Sequence, residues 1–379
     1  MTVVFVGHFS PQTAELASAS SAAGNQVQRR ILKELSSQCG AEEVKCFSMI
    51  PLPVWPVGPL FSRFNCDTTV AFPSFPNLPA VKHVWFALCL FVSLVGSRPT
   101  LVMQYNAYLF ENISLLLYRC LFPRTSLILF IQDIHVDATA RFPTKRWARS
   151  ITESAAIWFS RYFDQVVPIS DAVIADFGFD PAKCRVFQGA PTDFSERLLK
   201  VSAEQTIEDM AVYAGELEPH NGIDRLVDRW IEFDIRWPLH LFGRGSLEPL
   251  VKSAAARSKM IVFHGYQPLS IILQWQSRAR WNFCFRYSAG LDQRYFFPSK
   301  LFNVACVYGE VVTNRFHGIP DDLAKHLCFV SDDLSDLASR LTMSTDESRI
   351  MNAQARHALI ASNYSWEKCI SESLFRART

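Results

Sequence analysis

MAVYAGELEPHNGIDRLVDRWIEF (210–233) decides the architecture. Its opening MAVYA is an apolar, strand-forming run closed by Gly215. After the turn-forming EPHNG, residues Ile223, Leu226, Val227 and Trp230 fall on one face of a helix. A buried strand, a glycine turn and an amphipathic helix begin a parallel βαβ unit.

Working outward, the pattern repeats. Strand-like runs PLHLFGRG (238–245), IVFHGYQ (261–267), ARWNFCFRYS (279–288), GEVVTNRF (309–316) and HLCFVSD (326–332) are separated by helical patterns. Upstream stands a second series: TVVFVG (2–7), VKCFSM (44–49), TLVMQYN (100–106), SLILFIQD (126–133), QVVPIS (165–170) and CRVFQGA (184–190). A helix is expected from Asn25 to Gln38, with Val27, Ile31, Leu32 and Leu35 on one face. The proline- and aromatic-rich residues 51–79 read as an irregular excursion from the first domain. A polar stretch from Pro191 to Asp209 parts the two series. The fold class is therefore α/β, with two doubly wound, Rossmann-like domains; ligands of such sheets sit at the carboxyl ends of the strands, and the cleft between domains is the expected site.

At 379 residues the chain exceeds the usual size of one domain, and 49% hydrophobic residues supply ample core. A net charge of +2, with no block of like charges, excludes nucleic acid as a partner. The ten cysteines are scattered without C-x-x-C spacing, as buried small hydrophobes of a reducing compartment would be. MTVVFVGHFSP reads as a first strand and lacks the marks of a signal peptide, so a cytoplasmic location is expected and the sequons at Asn112 and Asn363 carry little meaning. VWFALCLFVSLVG (84–96) is too short to span a bilayer; it reads as a buried helix, the alternative being a helix in contact with a membrane.

Four motifs of the second half, VYAGELEPHNGIDRL (212–226), LHLFGRGSLEPL (239–250), IVFHGYQPLSIILQWQSRA (261–279) and FFPSKLFNVACVYGEVVTN (296–314), resemble in order the C-terminal domain of family 4 glycosyltransferases. DQVVPISDAVIADFGFDPAKCRVFQGA (164–190) looks like the segment that closes the N-terminal domain in that family. The resemblance implies the GT-B fold, two Rossmann-like domains facing across a cleft. Domains are then expected at 1–200 (acceptor), 201–362 (nucleotide-sugar) and 363–379, a helix crossing back to the first domain. In that last segment Trp366, Ile370 and Leu374 make one apolar stripe.

Pro298 and Ser299 suit a helix start, and Lys300 with Asn303 share one face. A first-turn lysine is unfavourable unless an anion docks beside it. The resemblance places the donor diphosphate there and the ribose at Asn303, where the family usually carries a glutamate. The family's paired arginine and lysine correspond to Glu216 and Asn221, and its other glutamate to Tyr295, which leaves Lys300, Arg286, Arg244 or Arg294 to supply charge. The donor-site set is thus Lys300, Asn303, Ser299, Arg286, Arg244, Gly243, Gly215 and Gly265. Gly243-Arg244-Gly245 allows close approach to a ligand or forms a plain tight turn. In the loop SASSAAGNQ (18–26), Gly24 and Asn25 admit an acceptor or phosphate to a helix start, or belong to a loop without ligand.

Asp133 and His135, in IQDIHVDA (131–138), are the catalytic candidates for an acceptor hydroxyl, against a satisfied loop histidine. The basic stretch Arg141, Lys145, Arg146, Trp147 and Arg149 reads as a solvated helix face or as contact with the inner face of a membrane. The expected activity is a retaining hexosyltransferase of surface polysaccharide or glycoconjugate synthesis. It would move sugar from a nucleotide-sugar donor to a glycan or lipid-linked acceptor without cofactor or metal. An inactive binding homologue and a sugar-nucleotide epimerase are the rivals.

Overall fold

The computed structural model describes residues 1–10, 22–62, 70–132, 134, 143–199, 206–287, 293–295, 297 and 300–377. The chain forms two compact units. The first comprises Met1–Gln188, Arg294–Phe296 and Trp366–Thr379, and the second Gly189–Gln293 and Phe297–Ser365.

The first unit holds a parallel sheet of β1 (Val3–Gly7), β2 (Val44–Ser48), β3 (Val70–Ala71), β4 (Leu101–Tyr105), β5 (Ser126–Ile131) and β6 (Gln165–Pro168). Their spatial order is β3-β2-β1-β4-β5-β6. β1, β4 and β6 are buried at every residue, as expected when helices cover both faces of a parallel sheet.

The second unit repeats the plan with β7 (Glu208–Ala214), β8 (Leu239–Phe242), β9 (Ile261–Gly265), β10 (Ala279–Phe283), β11 (Glu310–Asn314) and β12 (Cys328–Val330). Here the order is β9-β8-β7-β10-β11-β12. The helix Ile223–Glu232 buries Ile223, Leu226, Val227 and Trp230, the face expected from their spacing. In each unit the winding reverses beside the first strand, between β1 and β4 and between β7 and β10. That reversal opens a crevice at the carboxyl ends of the two strands.

The helix Trp366–Arg376 belongs to the first unit. Trp366, Ile370 and Leu374 are buried, with the Trp366 ring 4.7 Å from that of Phe187. Gln38 Nε2 donates to the Glu367 carbonyl at 2.9 Å, and Arg185 pairs with Glu372 at 2.5 Å.

Several expectations need correction. CRVFQGA is no regular strand: it makes one bridge, Val166 to Cys184, although Arg185 and Phe187 still donate to the carbonyls of Val166 and Pro168 at 3.0 and 2.9 Å. The excursion at 51–79 contains the edge strand β3 and a small antiparallel ribbon, Phe61–Ser62 with Phe75–Pro76. The first long helix runs Ala22–Cys39, so Gly24 and Asn25 lie within it and not before it.

Residues 84–96 lie in the helix Val81–Ser97, which is only half buried. Phe86, Ala87, Leu90 and Leu94 face the core, while Trp85 is 46% exposed, Leu88 58% and Val92 70%. No described helix is long and apolar enough to cross a membrane. Asn112 of the first sequon is fully buried, its amide donating to the Ala156 carbonyl at 2.7 Å and to Ser160 Oγ at 2.9 Å. The nine described cysteines are free thiols; Cys46, Cys284, Cys306 and Cys369 are buried and Cys120 is exposed.

Candidate functional site

β7 brings Tyr213 to the crevice of the second unit and is followed by Gly215, while β10 is followed by Cys284, Phe285 and Arg286. Lys300 opens the short helix Lys300–Ala305. Its ammonium donates to Tyr213 Oη at 3.1 Å and to Asn221 Oδ1 at 3.2 Å. Tyr213 and Asn221 are themselves buried, and both donate to the Glu216 carbonyl, at 2.8 and 3.0 Å. Two neutral acceptors thus fix the direction of the Lys300 side chain without neutralising it. Among the described residues no carboxylate lies within ion-pair reach of this ammonium.

Gly215 has a φ of +156°, and a Cβ there would meet Lys300 Nζ at 2.9 Å and Tyr213 Oη at 3.0 Å. Any larger residue would collide with the ammonium, so glycine leaves the space that Lys300 Nζ occupies. Burial penalises the charged form of Lys300, but Tyr213 and Cys284 outweigh that penalty and its pKa rises. Burial also raises Tyr213, and raises Cys284 to about 11, so both are neutral at pH 7 and the local charge is the lysine's.

Arg286 is half buried, and burial lowers its pKa, opposed by Glu216. Its backbone is clamped by Asn314, which accepts from the Arg286 N–H at 2.9 Å and donates to its carbonyl at 2.8 Å. Glu216 itself is largely exposed, its side chain 3.9 Å from His220. Burial and then Arg286 lower the His220 pKa, which keeps that imidazole neutral beside the two cations.

Gly215, Gly243 and Gly265 close β7, β8 and β9 in a row. The Gly215 N–H donates to the Phe242 carbonyl and the Gly243 N–H to the Gly265 carbonyl, at 3.0 and 2.9 Å. A Cβ on Gly243 would stand 1.8 Å from the Gly215 oxygen. Gly243 therefore serves close packing of one loop on the next. Arg244 is exposed, its guanidinium 5.1 Å from the centre of the Tyr266 ring. Asn303 Oδ1 accepts from the Thr192 N–H at 2.9 Å, so its carbonyl is occupied within the unit. Ser299, Asp133 and His135 lie outside the described residues, as do the side chains of Arg141, Lys145, Arg146, Trp147 and Arg149. Tyr295 donates to Asp176 at 2.7 Å and Arg294 pairs with the same carboxylate at 2.7 Å, both within the first unit.

The crevice of the first unit holds a cluster that no motif announced. His8 follows β1, and Glu111 and Tyr108 follow β4. His8 Nε2 is 3.4 Å and His83 Nδ1 3.6 Å from Glu111 Oε1. The His8 ring stacks on Tyr108 with centroids 3.8 Å apart. Glu111 is 1% exposed, with both imidazoles directed at the same carboxylate oxygen. Burial works to raise its pKa, yet the two imidazoles hold it down at about 2, while burial lowers that of His8. Beside the cluster lies a cavity of about 450 Å³, lined by His83, Asn106, Tyr108, Glu111 and Glu153 among others. The only sequence signal was position: each residue falls just beyond a strand's carboxyl end or on the next helix.

Solved structures carry the same architecture from end to end. The Anabaena protein HepE in complex with UDP is 12% identical, covers 99% of each chain and superposes with a TM-score of 0.66. A UDP-forming α,α-trehalose-phosphate synthase from Burkholderia xenovorans, in complex with glucose 6-phosphate, is 11% identical, covers 100% of both chains and gives 0.67. WaaG, a glycosyltransferase involved in lipopolysaccharide biosynthesis, is 12% identical over 98% of each chain, with 0.60. No protein-family model matches the chain, and no curated protein matches its sequence. The chain has the GT-B fold of these glycosyltransferases.

Proposed function

We propose that the chain is a glycosyltransferase that moves a hexose from a nucleoside diphosphate donor to a hydroxyl of a glycan or lipid-linked acceptor. The observation that carries it is the Lys300 ammonium, directed by Tyr213 and Asn221 and given room by Gly215 at the β7–β10 crevice. Arg286, anchored just after β10, adds a second cation close enough to act on the same Tyr213 and Cys284. Such a pair suits a leaving diphosphate, whose negative charge grows as the glycosidic bond breaks. These side-chain cations do for the phosphates what a bound metal does elsewhere, so no metal is invoked. Asn221, at a position where the family carries a cation, becomes a guide for Lys300. The UDP complex of HepE makes a UDP-sugar the first donor to test. A retaining outcome rests on the family resemblance.

The first unit supports a lipid-linked acceptor. The helix Val81–Ser97 turns Val84, Trp85, Leu88, Val92 and Val95 outward. An apolar helix face of this kind suits a membrane surface.

Lys300→Ala tests the donor site. It is expected to lower kcat/KM for the UDP-sugar by ~30- to 1000-fold, equivalent to the ~2–4 kcal/mol lost with one oxyanion donor, and to weaken UDP binding. Unchanged kinetics in a folded variant would leave the fold without the family's donor chemistry.

A further inference from the structure

We infer that His220 is the third partner of the diphosphate in the second unit, its imidazole neutral in the free protein and taking up one proton from solvent when a nucleoside diphosphate sugar binds. The inference rests on the proposed function for placing the phosphates at Lys300 and Arg286. His220 is tied to both. Its carbonyl accepts from the Tyr287 N–H at 2.8 Å, which laces its loop to the residue after Arg286. Gly222 permits that approach, since a Cβ there would meet the Tyr287 ring at 2.2 Å. On the other side, Asn221 joins the imidazole to Lys300. An ammonium can only donate, so the Asn221 Oδ1 that accepts from Lys300 fixes which way the amide lies. Its Nδ2 then donates to the Glu216 carbonyl at 3.0 Å and faces His220 Nε2 at 3.3 Å. Nε2 is therefore the acceptor, and the proton of the neutral ring sits on Nδ1. The side chain is 26% exposed, and Nδ1 has no hydrogen-bond partner among the described residues. The lysine thus sets, through one amide, a tautomer whose remaining N–H is left for a ligand.

The surrounding charges decide when the ring gains its second proton. Facing it are Arg286 after β10, Lys300, and Glu216 and Glu218 of its own loop. Glu218 is engaged by the Ser246 N–H and hydroxyl, at 2.8 and 2.5 Å. Glu216 stands 3.9 Å from Nε2. In the free protein burial and then Arg286 outweigh the carboxylates and hold the imidazole neutral. A bound diphosphate reverses that balance. Its negative charges offset Lys300 and Arg286, and a phosphate oxygen accepts from Nδ1–H, which favours the charged ring. The incoming proton lands on Nε2, the long contact with the Asn221 amide is given up, and Nε2–H turns to Glu216. Phosphate, imidazolium and carboxylate then alternate in charge. A carboxylate at 216, where the family carries a cation, is thereby accounted for: it does not meet the phosphates but charges the histidine that does.

The test is calorimetric titration of the full chain with UDP-glucose, GDP-mannose and ADP-glucose, whose phosphates do not titrate near neutrality. The tightest binder is then titrated at pH 7 in PIPES and in Tris, whose ionisation heats differ, so that the difference in heat counts the protons taken up. Wild type should take up roughly half a proton or more per donor bound, and its affinity should rise about five- to tenfold from pH 8 to pH 6. His220→Gln, which stays neutral and can still donate a hydrogen bond, should bind without linked uptake and change affinity by less than about twofold over that range. Glu216→Gln should lower the uptake while the affinity at pH 8 is kept or improved. Wild-type binding without proton uptake, or uptake that persists in His220→Gln, would overturn the inference. Lys300→Ala separates it from the reading it rests on. Binding by none of the three, or binding indifferent to Lys300→Ala, would overturn both, whereas binding that depends on Lys300 but not on pH overturns the role of His220 alone.

Discussion

Arg356 is fully buried and spends its guanidinium on backbone alone. Nη2 donates to the carbonyls of Val307 and Gly309 at 3.0 and 2.7 Å, Nη1 to that of His326 at 3.0 Å, and Nε to that of Ala305 at 3.4 Å. It thereby ties the helix Asp346–Asn363 to the far end of the Lys300 helix and to the entry of β11. Burial lowers its pKa to about 10, so it remains a cation at pH 7. Arg356→Met keeps the length of the side chain and removes every donor. Four buried carbonyls left unpaired cost about 4–8 kcal/mol at the lower range of such penalties. Releasing the buried charge returns about half of that, since desolvating an ion costs several kcal/mol. The expected net loss is about 2–4 kcal/mol, or a melting temperature lower by roughly 4–16 °C for a unit of this size. Calorimetry and urea unfolding read the loss, and hydrogen exchange should quicken first across residues 300–309. A change below about 1 kcal/mol would refute the view that this clamp holds the lysine's helix in place.

Acid should weaken the fold before carboxylates titrate. Burial, with Arg356 as neighbour, pushes His357 down to about 4, and burial does the same for His240. The unfolded chain therefore takes up protons that the folded chain refuses. Their contribution is complete above about pH 6.5 and is lost as pH falls from there toward 4, at up to ~1.4 kcal/mol per pH unit for each imidazole. Urea midpoints between pH 7 and 5 measure this; His357→Phe should flatten the slope, and a flat wild-type profile would contradict it. The outward helix face predicts co-sedimentation with lipid vesicles that is lost in a Leu88→Glu, Val92→Glu variant. Equal sedimentation of wild type and variant would exclude that face.

The strands were legible because parallel sheets bury both faces, which writes them as unbroken apolar runs such as SLILFI and VVFVG. Val70–Ala71 left no such mark, since a two-residue edge strand is made by its neighbour β2 and not by its own composition. The apolar run at 84–96 hid its orientation for the opposite reason: a helix hydrophobic all round carries no periodicity to say which side meets the core. At the second crevice, Lys300, Gly215 and Arg286 stood out as types, and the structure adds how they are held. Asn221 read as a cation lost, and only the folded loop shows its Oδ1 turned to Lys300. His8, His83 and Glu111 form no motif, because winding brings them together from three separate βα connections.

The return of Trp366–Arg376 to the first unit has a consequence for how the protein is made. Gln188 and Trp366 are separated by the whole of the second unit. At a synthesis rate of ~5–20 residues per second, the ribosome takes on the order of ten to thirty seconds to travel that distance. Throughout that interval Phe130 and Phe187 wait without the indole that will cover them. The second unit, whose strands and helices are contiguous apart from a short excursion at 294–296, can complete its core while the first is still open. The last unit to be made is thus free to finish folding ahead of the first, and a nascent chain halted before Trp366 would carry an unsealed aromatic surface for chaperones to hold.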